Sequence, residues 1–201
     1  MRTILSNAID MPAAKPHKRT GPGGRVRIVG GEWRGRRIDV PRGLDVRPTA
    51  DRVRETLFNW LGQTLDGAVC LDLYAGTGAL GFEAASRGAG RVVLVERMRN
   101  ALAALHATQS ALGAQQVEIV AADALHYLAQ ADTRFDVVFL DPPFRQNAWP
   151  ALFERLPRCL APGARVSIEA SAPQDAPQNW RELRRLRAGQ VIVQLMQWNA
   201  E

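Results

Sequence analysis

The stretch V-C-L-D-L-Y-A-G-T-G-A-L-G, residues 69–81, limits more than any other what this chain can fold into. It begins as a short apolar run, turns at Gly76 and Gly78, and continues as a helical pattern from Ala79. A strand, a glycine turn and a helix start in this order are typical of a unit that binds a nucleotide-like ligand. The glycines allow a tight turn and a close ligand approach, and the unpaired N–H groups at the helix start can bind polar groups.

The spacing of a third glycine and of an acidic residue agrees with this interpretation. Gly76-x-Gly78-x-x-Gly81 matches the dinucleotide-binding pattern, and Glu96 ends a second apolar run 20 residues after Gly76. A carboxylate at that place binds the ribose hydroxyls of such cofactors. The alternative is that the glycines only form a strand-to-helix turn. The position of Glu96 favours a cofactor that contains a ribose.

Strands and helices alternate along the rest of the chain. The predicted helices are 49–61, 79–87, 98–112, 124–130 and 148–160, and the predicted strands are 69–73, 91–96, 116–121, 135–140, 165–170, 182–186 and 190–198. This pattern indicates an α/β, Rossmann-like fold with a mostly parallel seven-stranded sheet, helices on both faces and an antiparallel edge hairpin. Asp72, Glu96, Asp123 and Asp141 then follow the strands at the carboxyl edge, where such sheets bind ligands.

Positive charge is concentrated in the first quarter of the chain. Residues 1–50 carry 11 Lys or Arg and 4 acids, whereas residues 51–201 carry 15 and 16. The first 24 residues are rich in Pro and Gly and lack apolar periodicity, which predicts a flexible basic tail in which Met11 offers an alternative start. The expected parts are a tail at 1–24, a basic hairpin and loop at 25–46, and a larger domain at 47–201.

The predicted hairpin has the composition of a surface that binds RNA. Charged and apolar residues alternate over residues 25–41 on both sides of a Gly-Gly turn signal. Trp33 stands among Arg34, Arg36 and Arg37, which combines a ring that can stack on a base with cations that bind phosphate. The alternatives are that Trp33 packs within the hairpin and that the arginines form a solvated face.

Other features exclude membrane and metal-binding classes. The chain has no apolar run of about 18 residues that could span a membrane, and its first residues lack the apolar segment of a secretory signal. Cys70 and Cys159 lack metal-ligand spacing, as do the three histidines, so we expect no metal site. Two thiols of this kind are typical of a reducing compartment, and we expect a cytoplasmic, monomeric protein.

The residues Asp141-Pro142-Pro143-Phe144 distinguish between cofactor chemistries. The exocyclic NH2 of a base is planar because its lone pair is delocalised, and two acceptors aimed at its N–H groups favour a pyramidal nitrogen with a free lone pair. The Asp141 carboxylate and the Pro142 carbonyl suit this role, the prolines restrict the loop, and Phe144 can stack on the base. The pattern therefore favours an amino-group methyltransferase that uses S-adenosylmethionine, against the alternative of a Pro-Pro turn with an Asp cap.

Residues 25–198 resemble the class I S-adenosylmethionine-dependent methyltransferases and, more narrowly, the bacterial 16S rRNA guanine-N2 methyltransferase family, RsmD. The motifs that carry the resemblance are R-I-V-G-G-E-W-R-G-R-R at 27–37, R-P-T-A-D-R-V-R-E-T-L-F-N-W-L at 47–61, the glycine turn and D-P-P-F at 141–144. The resemblance implies methyl transfer to the N2 of guanine 966 in 16S rRNA, on the assembled small subunit, by a methyltransferase domain at 47–201.

The resemblance also implies roles for individual residues. The cofactor-binding residues would be Asp72, Ala75, Gly76, Thr77 and Gly78 for the methionine part, Glu96 for the ribose, Arg97, Asp123 and Ala124 for the adenine, and Thr49, Arg52 and Glu55 over the cofactor end of the pocket. The target guanine would be held by Asp141, Pro142 and Phe144. The RNA-binding residues would be Arg27, Trp33, Arg34, Arg36, Arg37, Arg47 and Arg145. Two alternatives stay open: Arg52 and Glu55 as a surface pair, and Asp123 as a helix cap.

Three other functions are considered against this one. An adenine-N6 methyltransferase acting on DNA or RNA would use D-P-P-F equally well. A dinucleotide-dependent oxidoreductase would need a catalytic domain for which the chain has no room. A non-catalytic RNA-binding protein would not need the intact Asp141 loop.

Overall fold

The computed structural model describes residues 24–41, 50–143, 148–175 and 177–200. The strands are β1 (Arg25–Arg27), β2 (Arg37–Asp39), β3 (Val69–Asp72), β4 (Arg91–Glu96), β5 (Val117–Ala121), β6 (Phe135–Leu140), β7 (Leu160–Ala170), β8 (Trp180–Ala188) and β9 (Val191–Trp198). The helices are α1 (Ala50–Leu61), α2 (Ala79–Ser86), α3 (Arg99–Leu112), α4 (Ala124–Gln130) and α5 (Trp149–Arg155), with a 3-10 turn at Leu156–Cys159. The predicted tail, apart from Gly24, lies outside the described residues.

Seven strands form one sheet in the order β5-β4-β3-β6-β7-β9-β8, which confirms the predicted fold. The five neighbouring strands β5, β4, β3, β6 and β7 run parallel to one another, and β9 is antiparallel to both β7 and β8. Strands covered on both faces must be apolar throughout, and accordingly the side chains of Cys70, Leu71 and Val93 have no exposed surface. The chain order reverses between β3 and β6, and the carboxyl ends of these strands open the crevice in which such sheets bind ligands.

Helices cover both faces of the sheet and bury one core on each. The first core joins Phe58 of α1 and Phe82 of α2 to Phe139 of β6. The second joins Leu128 of α4 and Leu152 of α5 to the opposite face. Complete burial of such side chains stabilises the fold by about 1.5–3 kcal/mol each. Among the described residues, no helix is both long and apolar enough to cross a membrane.

The hairpin at the start of the described chain packs on this body. β1 pairs antiparallel with β2, with Val26 opposite Ile38, as the alternation of apolar and charged residues predicts. Both side chains are buried in the first core, together with residues of α1 and α2. A Cβ atom added at Gly31 would overlap the carbonyl oxygen of Ser86, so the turn of the hairpin lies directly against the end of α2.

The elements differ from the sequence prediction mainly around α5 and β7. The helix predicted over 148–160 ends at Arg155 and continues as a 3-10 turn, because Pro157 cannot continue the α-helical hydrogen bonds. β7 begins at Leu160 instead of residue 165. The register against β6 shifts between Phe135 and Val137, so the intervening A-P-G-A segment, residues 161–164, lies within the strand as an irregularity.

Candidate active site

A cavity of about 430 Å³ opens at the carboxyl ends of the central strands. Its volume lies in the range typical of small-molecule and cofactor sites. The predicted site residues that line it are Asp72, Ala75, Gly76, Thr77, Glu96, Arg97, Asp123, Ala124, Asp141 and Pro142. Residues separated by up to 70 positions in the chain are thus brought to one cavity because parallel strands end on the same edge.

The end of β3 and the glycine turn form the floor of the cavity. The backbone N–H of Gly81 donates to Oδ2 of Asp72 at 3.0 Å, across the turn. Burial raises the pKa of the Asp72 carboxyl to about 7, although the Gly81 hydrogen bond lowers it. Burial thus opposes ionisation of this carboxyl, and a positively charged ligand beside it would favour the ionised form.

The three glycines of the turn have different physical roles. Gly76 has φ +52, and a Cβ atom there would find no atom closer than 3.9 Å. A Cβ atom at Gly78 would lie 2.6 Å from Leu105 and 2.7 Å from Phe82, and one at Gly81 would overlap the side chain of Leu94. Gly78 is not among the residues that line the cavity, and its lack of a Cβ atom allows α2 and α3 to pack closely.

Glu96 is held in place by the backbone at the end of β4. Its Oε2 accepts from the N–H of Gly76 at 2.9 Å, and its Oε1 accepts from the N–H groups of Arg97 and Met98, both at 2.8 Å. Each carboxylate oxygen can accept more than one hydrogen bond. This arrangement fits a ribose, whose hydroxyls can donate to a fixed carboxylate.

Asp123 caps a helix, which was one of its two possible roles, and it also borders the cavity. Its Oδ1 caps α4 by accepting from the N–H groups of Leu125 and His126, at 3.0 and 3.4 Å. Its Oδ2 lies 3.5 Å from Nη1 of Arg97, in a half-exposed ion pair. The residue also lines the cavity, so helix capping fixes a carboxylate at the edge of the site.

The D-P-P segment enters the cavity from β6. Asp72 pairs in register with Phe139 of β6, so Asp141 lies two residues beyond the strand position beside Asp72. Pro142 is buried, whereas Asp141 and Pro143 are exposed to the cavity opening. Phe144 and Arg145 lie outside the described residues, as do Thr49 and Arg47.

Helix α1 turns a different arginine toward the cavity than the sequence pattern predicts. Arg52 and Glu55 are exposed and are not among the residues that line the cavity, so the structure does not bring them to the other predicted site residues. Arg54 lines it instead, and only 4% of its surface is exposed. Residues three and four apart share a helix face, so the spacing of Arg54 to the buried Leu57 and Phe58 was a signal for this orientation.

The guanidinium of Arg54 is only partly satisfied by the protein. Its Nη2 donates to the carbonyl oxygen of Arg27 at 2.6 Å and to Oδ1 of Asp51 at 2.7 Å. Nε and Nη1 are buried and have no hydrogen-bond partner in the described part of the chain. Buried donors of this kind are rare in native proteins and call for an explanation.

Strands β7 and β9 add a wall that the sequence prediction does not include. Ser167, Glu169 and Val193 line the cavity. Ser167 and Glu169 are two positions apart and therefore project from the same face of β7. The alternation of Arg165, Ser167 and Glu169 with apolar residues was the signal that could have identified this polar face.

The structure buries one of the predicted RNA-binding residues and leaves others exposed. Trp33 is 7% exposed, and its backbone N–H donates to Oγ of Ser86 at 2.9 Å. Its ring packs into the first core, which corrects its predicted role in base stacking. Arg27, Arg34, Arg36 and Arg37 are exposed on the hairpin, as predicted for a surface that binds RNA, and Nη2 of Arg36 also donates to the carbonyl of Ala111.

Comparison with known proteins identifies relatives along nearly the whole chain. Residues 26–197 match the family described as conserved hypothetical protein 95. The chain is 41% identical over 183 residues to ribosomal RNA small subunit methyltransferase D of Escherichia coli strain K12, which covers 89% of this chain and 92% of that protein. The solved structure of Escherichia coli yhhF is 42% identical with a TM-score of 0.82, covering 89% of this chain and all of that one.

A more distant solved structure shares the fold. SMU.776, solved as a complex with SAH, is 18% identical with a TM-score of 0.66, and the match covers 80% of this chain and 53% of that one. The strand order and the cavity at the carboxyl edge agree with this class I methyltransferase architecture. By the extent and identity of these matches, the chain belongs to the family of ribosomal RNA small subunit methyltransferase D.

Proposed function

We propose that this protein transfers a methyl group from S-adenosylmethionine to the exocyclic N2 of guanine 966 in 16S rRNA, on the assembled small subunit. The observation that carries the proposal is that the Asp141-Pro142-Pro143 segment and Glu96 line one cavity, at the ends of strands on either side of β3. The carboxylate that would bind the ribose and the two acceptors that would bind the amino group of the base therefore lie in the same cavity and can serve one reaction. The family relationship supports the same activity.

The cavity fits the cofactor by the chemistry of its lining. The Glu96 carboxylate is fixed by three backbone N–H groups and suits the ribose. Asp72 suits the positively charged methionine end, and the open space beside Gly76 admits it. Asp123 and Ala124, at the start of α4, suit the adenine. When bound, S-adenosylmethionine supplies an activated methyl group, and the protein contributes binding and orientation.

The D-P-P segment would hold the acceptor base. The Asp141 carboxylate and the Pro142 carbonyl can accept from the two N–H bonds of a guanine amino group, which concentrates the nitrogen lone pair on the side of the methyl donor. The buried ring of Pro142 and the restricted φ of both prolines limit the motion of these acceptors. Phe144, which lies outside the described residues, is proposed to stack on the extruded base.

The hairpin would position the RNA over this cavity. Its exposed Arg27, Arg34 and Arg37 form a surface for phosphate, while its apolar side chains belong to the same core as α2. Phosphate contacts set register and orientation without reading sequence. The choice of nucleotide then depends on the cavity and on the shape of the RNA.

The experiment that tests this proposal uses tritiated S-adenosylmethionine. The protein is incubated with small subunits that lack the modification, with naked 16S rRNA and with duplex DNA, and the labelled nucleoside is identified after digestion. We expect N2-methylguanosine from the small subunit. Labelled N6-methyladenine from any substrate would contradict the proposal in favour of the adenine alternative, and label confined to DNA would contradict the rRNA substrate.

A further inference from the structure

The geometry points to Arg54 as the residue that binds the carboxylate of the amino-acid end of the cofactor. The inference rests on the proposed function, because it takes the cavity to be a cofactor site, and it gives a role to a residue of the 47–61 motif that had none. The carboxylate would accept hydrogen bonds from Nε or Nη1 of Arg54, the two nitrogens that lack a partner in the described structure.

The first argument is the state of the guanidinium itself. The Arg54 side chain is 5% exposed, and an arginine cannot escape the cost of burial by losing its proton. Asp51 is 45% exposed and, of the three nitrogens of Arg54, it bonds only to Nη2. It therefore leaves Nε and Nη1 of Arg54 without a partner. A buried cation with unpaired donors beside a ligand cavity would be stabilised by an anion entering from that cavity.

The second argument is the balance of charge around the cavity. Among the described residues, the carboxylates that line it belong to Asp72, Glu96, Asp123, Asp141 and Glu169, and the cations to Arg54 and Arg97. Arg97 is 58% exposed and already lies in an ion pair with Asp123. Such a cavity would repel a phosphate group, but it suits a ligand with positive sulfonium and ammonium groups and a single carboxylate, for which Arg54 is the buried cation.

The third argument is preorganisation. Nη2 is held by the Arg27 carbonyl of the hairpin and by Asp51 of the same helix. With one nitrogen fixed, the guanidinium plane is set before the ligand arrives, and less side-chain entropy is lost on binding. Neither hydrogen bond competes for Nε or Nη1.

The test measures how strongly the protein recognises the carboxylate. The dissociation constants of S-adenosylmethionine and of decarboxylated S-adenosylmethionine, which lacks only that group, are measured by calorimetry for the wild type and for Arg54→Gln. We expect the wild type to prefer the intact cofactor by on the order of tenfold to a hundredfold. In Arg54→Gln this preference should nearly vanish, while the affinity for the decarboxylated compound stays within about threefold.

Arg52→Gln is the matched control, because it removes the same charge from an exposed position of the same helix. It should keep the full preference. If Arg54→Gln does not fold, the Arg54 Nε–H resonance of the wild type gives the answer: it should shift on addition of S-adenosylhomocysteine and not on addition of 5′-methylthioadenosine. A shift that is the same with both compounds would overturn the inference.

The outcomes separate this inference from the proposed function. A wild type that binds the intact cofactor, with an unchanged preference in Arg54→Gln, would overturn the role of Arg54 and leave the methyltransferase proposal standing. A wild type that binds neither compound would contradict the proposed function itself. An Arg54→Gln protein that keeps its preference but loses affinity for RNA would show that the arginine binds phosphate, which also overturns the inference.

Discussion

Arg87 and Arg54 are both buried arginines, and they differ in how far the protein itself supplies partners for the guanidinium. Arg87 lies where the hairpin packs on α2, its Nε donates to Glu83 at 2.8 Å, and its guanidinium lies 4.8 Å from the centre of the Phe58 ring. Arg54 lies in the cavity wall with two nitrogens unpaired among the described residues. The guanidinium of Arg87 lies against a carboxylate and a ring of the protein, whereas Nε and Nη1 of Arg54 have no such partner among the described residues. The difference separates a contact that holds the fold from one that we assign to a ligand.

At the contact between the hairpin and α2, buried polar groups form a network of hydrogen bonds with one another. Glu83 is fully buried, and its Oε2 accepts from the N–H of Val29 at 2.7 Å. Oγ of Ser86 donates to the carbonyl of Gly30 at 2.7 Å and accepts from Trp33. Because α2 also begins at the glycine turn, this network fixes the basic hairpin relative to the cavity.

The largest effect should come from breaking the network on the Arg87 side. Glu83→Ala leaves Arg87 buried without its carboxylate and the Val29 N–H unpaired, which should lower the free energy of unfolding by about 3–5 kcal/mol. Denaturant unfolding measures this. Glu118→Ala is the control, since its ion pair with Arg91 is about half exposed and should contribute less than about 1 kcal/mol. Equal losses in the two variants would remove the distinction that we draw for this region.

On the cavity side, Asp141→Ala should affect catalysis and spare the fold. We expect the turnover rate to fall by about 10²–10³-fold, because one acceptor of the target amino group is removed. The unfolding midpoint and the cofactor affinity should stay close to those of the wild type. Asp132→Ala, at a position before β6 and outside the cavity lining, is the control and should keep full turnover. Retained turnover in Asp141→Ala would contradict the assigned role.

Glu96→Ala should weaken cofactor binding by roughly tenfold to a hundredfold, since a charged acceptor of the ribose hydroxyls is removed. Calorimetric titration with S-adenosylhomocysteine measures the change. The thermal unfolding curve should be recorded alongside, because the Gly76, Arg97 and Met98 N–H groups also lose their acceptor. A binding isotherm identical to that of the wild type would exclude Glu96 from the site.

The proposed contact between the hairpin and RNA can be tested by removing surface charges without changing the buried residues of the hairpin. Deleting residues 25–41 would remove the buried Val26, Ile28 and Ile38, so the double variant Arg34→Gln/Arg37→Gln is the cleaner experiment. RNA affinity should fall, and the slope of log K against log salt should decrease by about 0.7–0.9 for each phosphate that the variant no longer binds. The same change at Arg184 and Arg187, exposed on β8, should leave the slope unchanged. Equal slopes in all three proteins would contradict the proposed RNA surface.

The smallest effect concerns pH. The pKa of Asp72 is raised to about 7, and a cofactor with positive charge favours the ionised carboxylate. Affinity should therefore increase as pH rises through about 7, by at most tenfold per pH unit for a single proton released. Asp72→Asn should flatten the dependence. An affinity that falls with rising pH would contradict the placement of the positive end of the cofactor beside Asp72.

The succession of strands and helices and the position of the site are predictable from the sequence, because both depend on local patterns. Apolar runs alternate with helical periods, and the acids that follow the strands are placed on one edge by the parallel topology alone. The glycine turn with Glu96 and the D-P-P segment are located in this way, and the structure brings them to one cavity.

The errors concern residues whose neighbours are distant in the chain. Trp33 resembles a stacking residue among arginines, but contacts with α2, more than 50 residues away, bury it. Arg54 stands two positions after the exposed Arg52 in α1, and the carbonyl oxygen of Arg27 in the hairpin accepts from Nη2 of its buried side chain. Composition describes what a side chain can bind, whereas packing decides whether it faces solvent, the core or the cavity.

A crystal structure of the protein with S-adenosylhomocysteine tests the central claim most directly. We expect the ligand in the cavity, with its ribose hydroxyls at hydrogen-bond distance from Glu96 and its carboxylate against Nε or Nη1 of Arg54. The contacts of Arg87 with Glu83 should be unchanged. A ligand bound elsewhere, or one that leaves both Arg54 nitrogens unpaired, would contradict the claim that the two buried arginines serve different purposes.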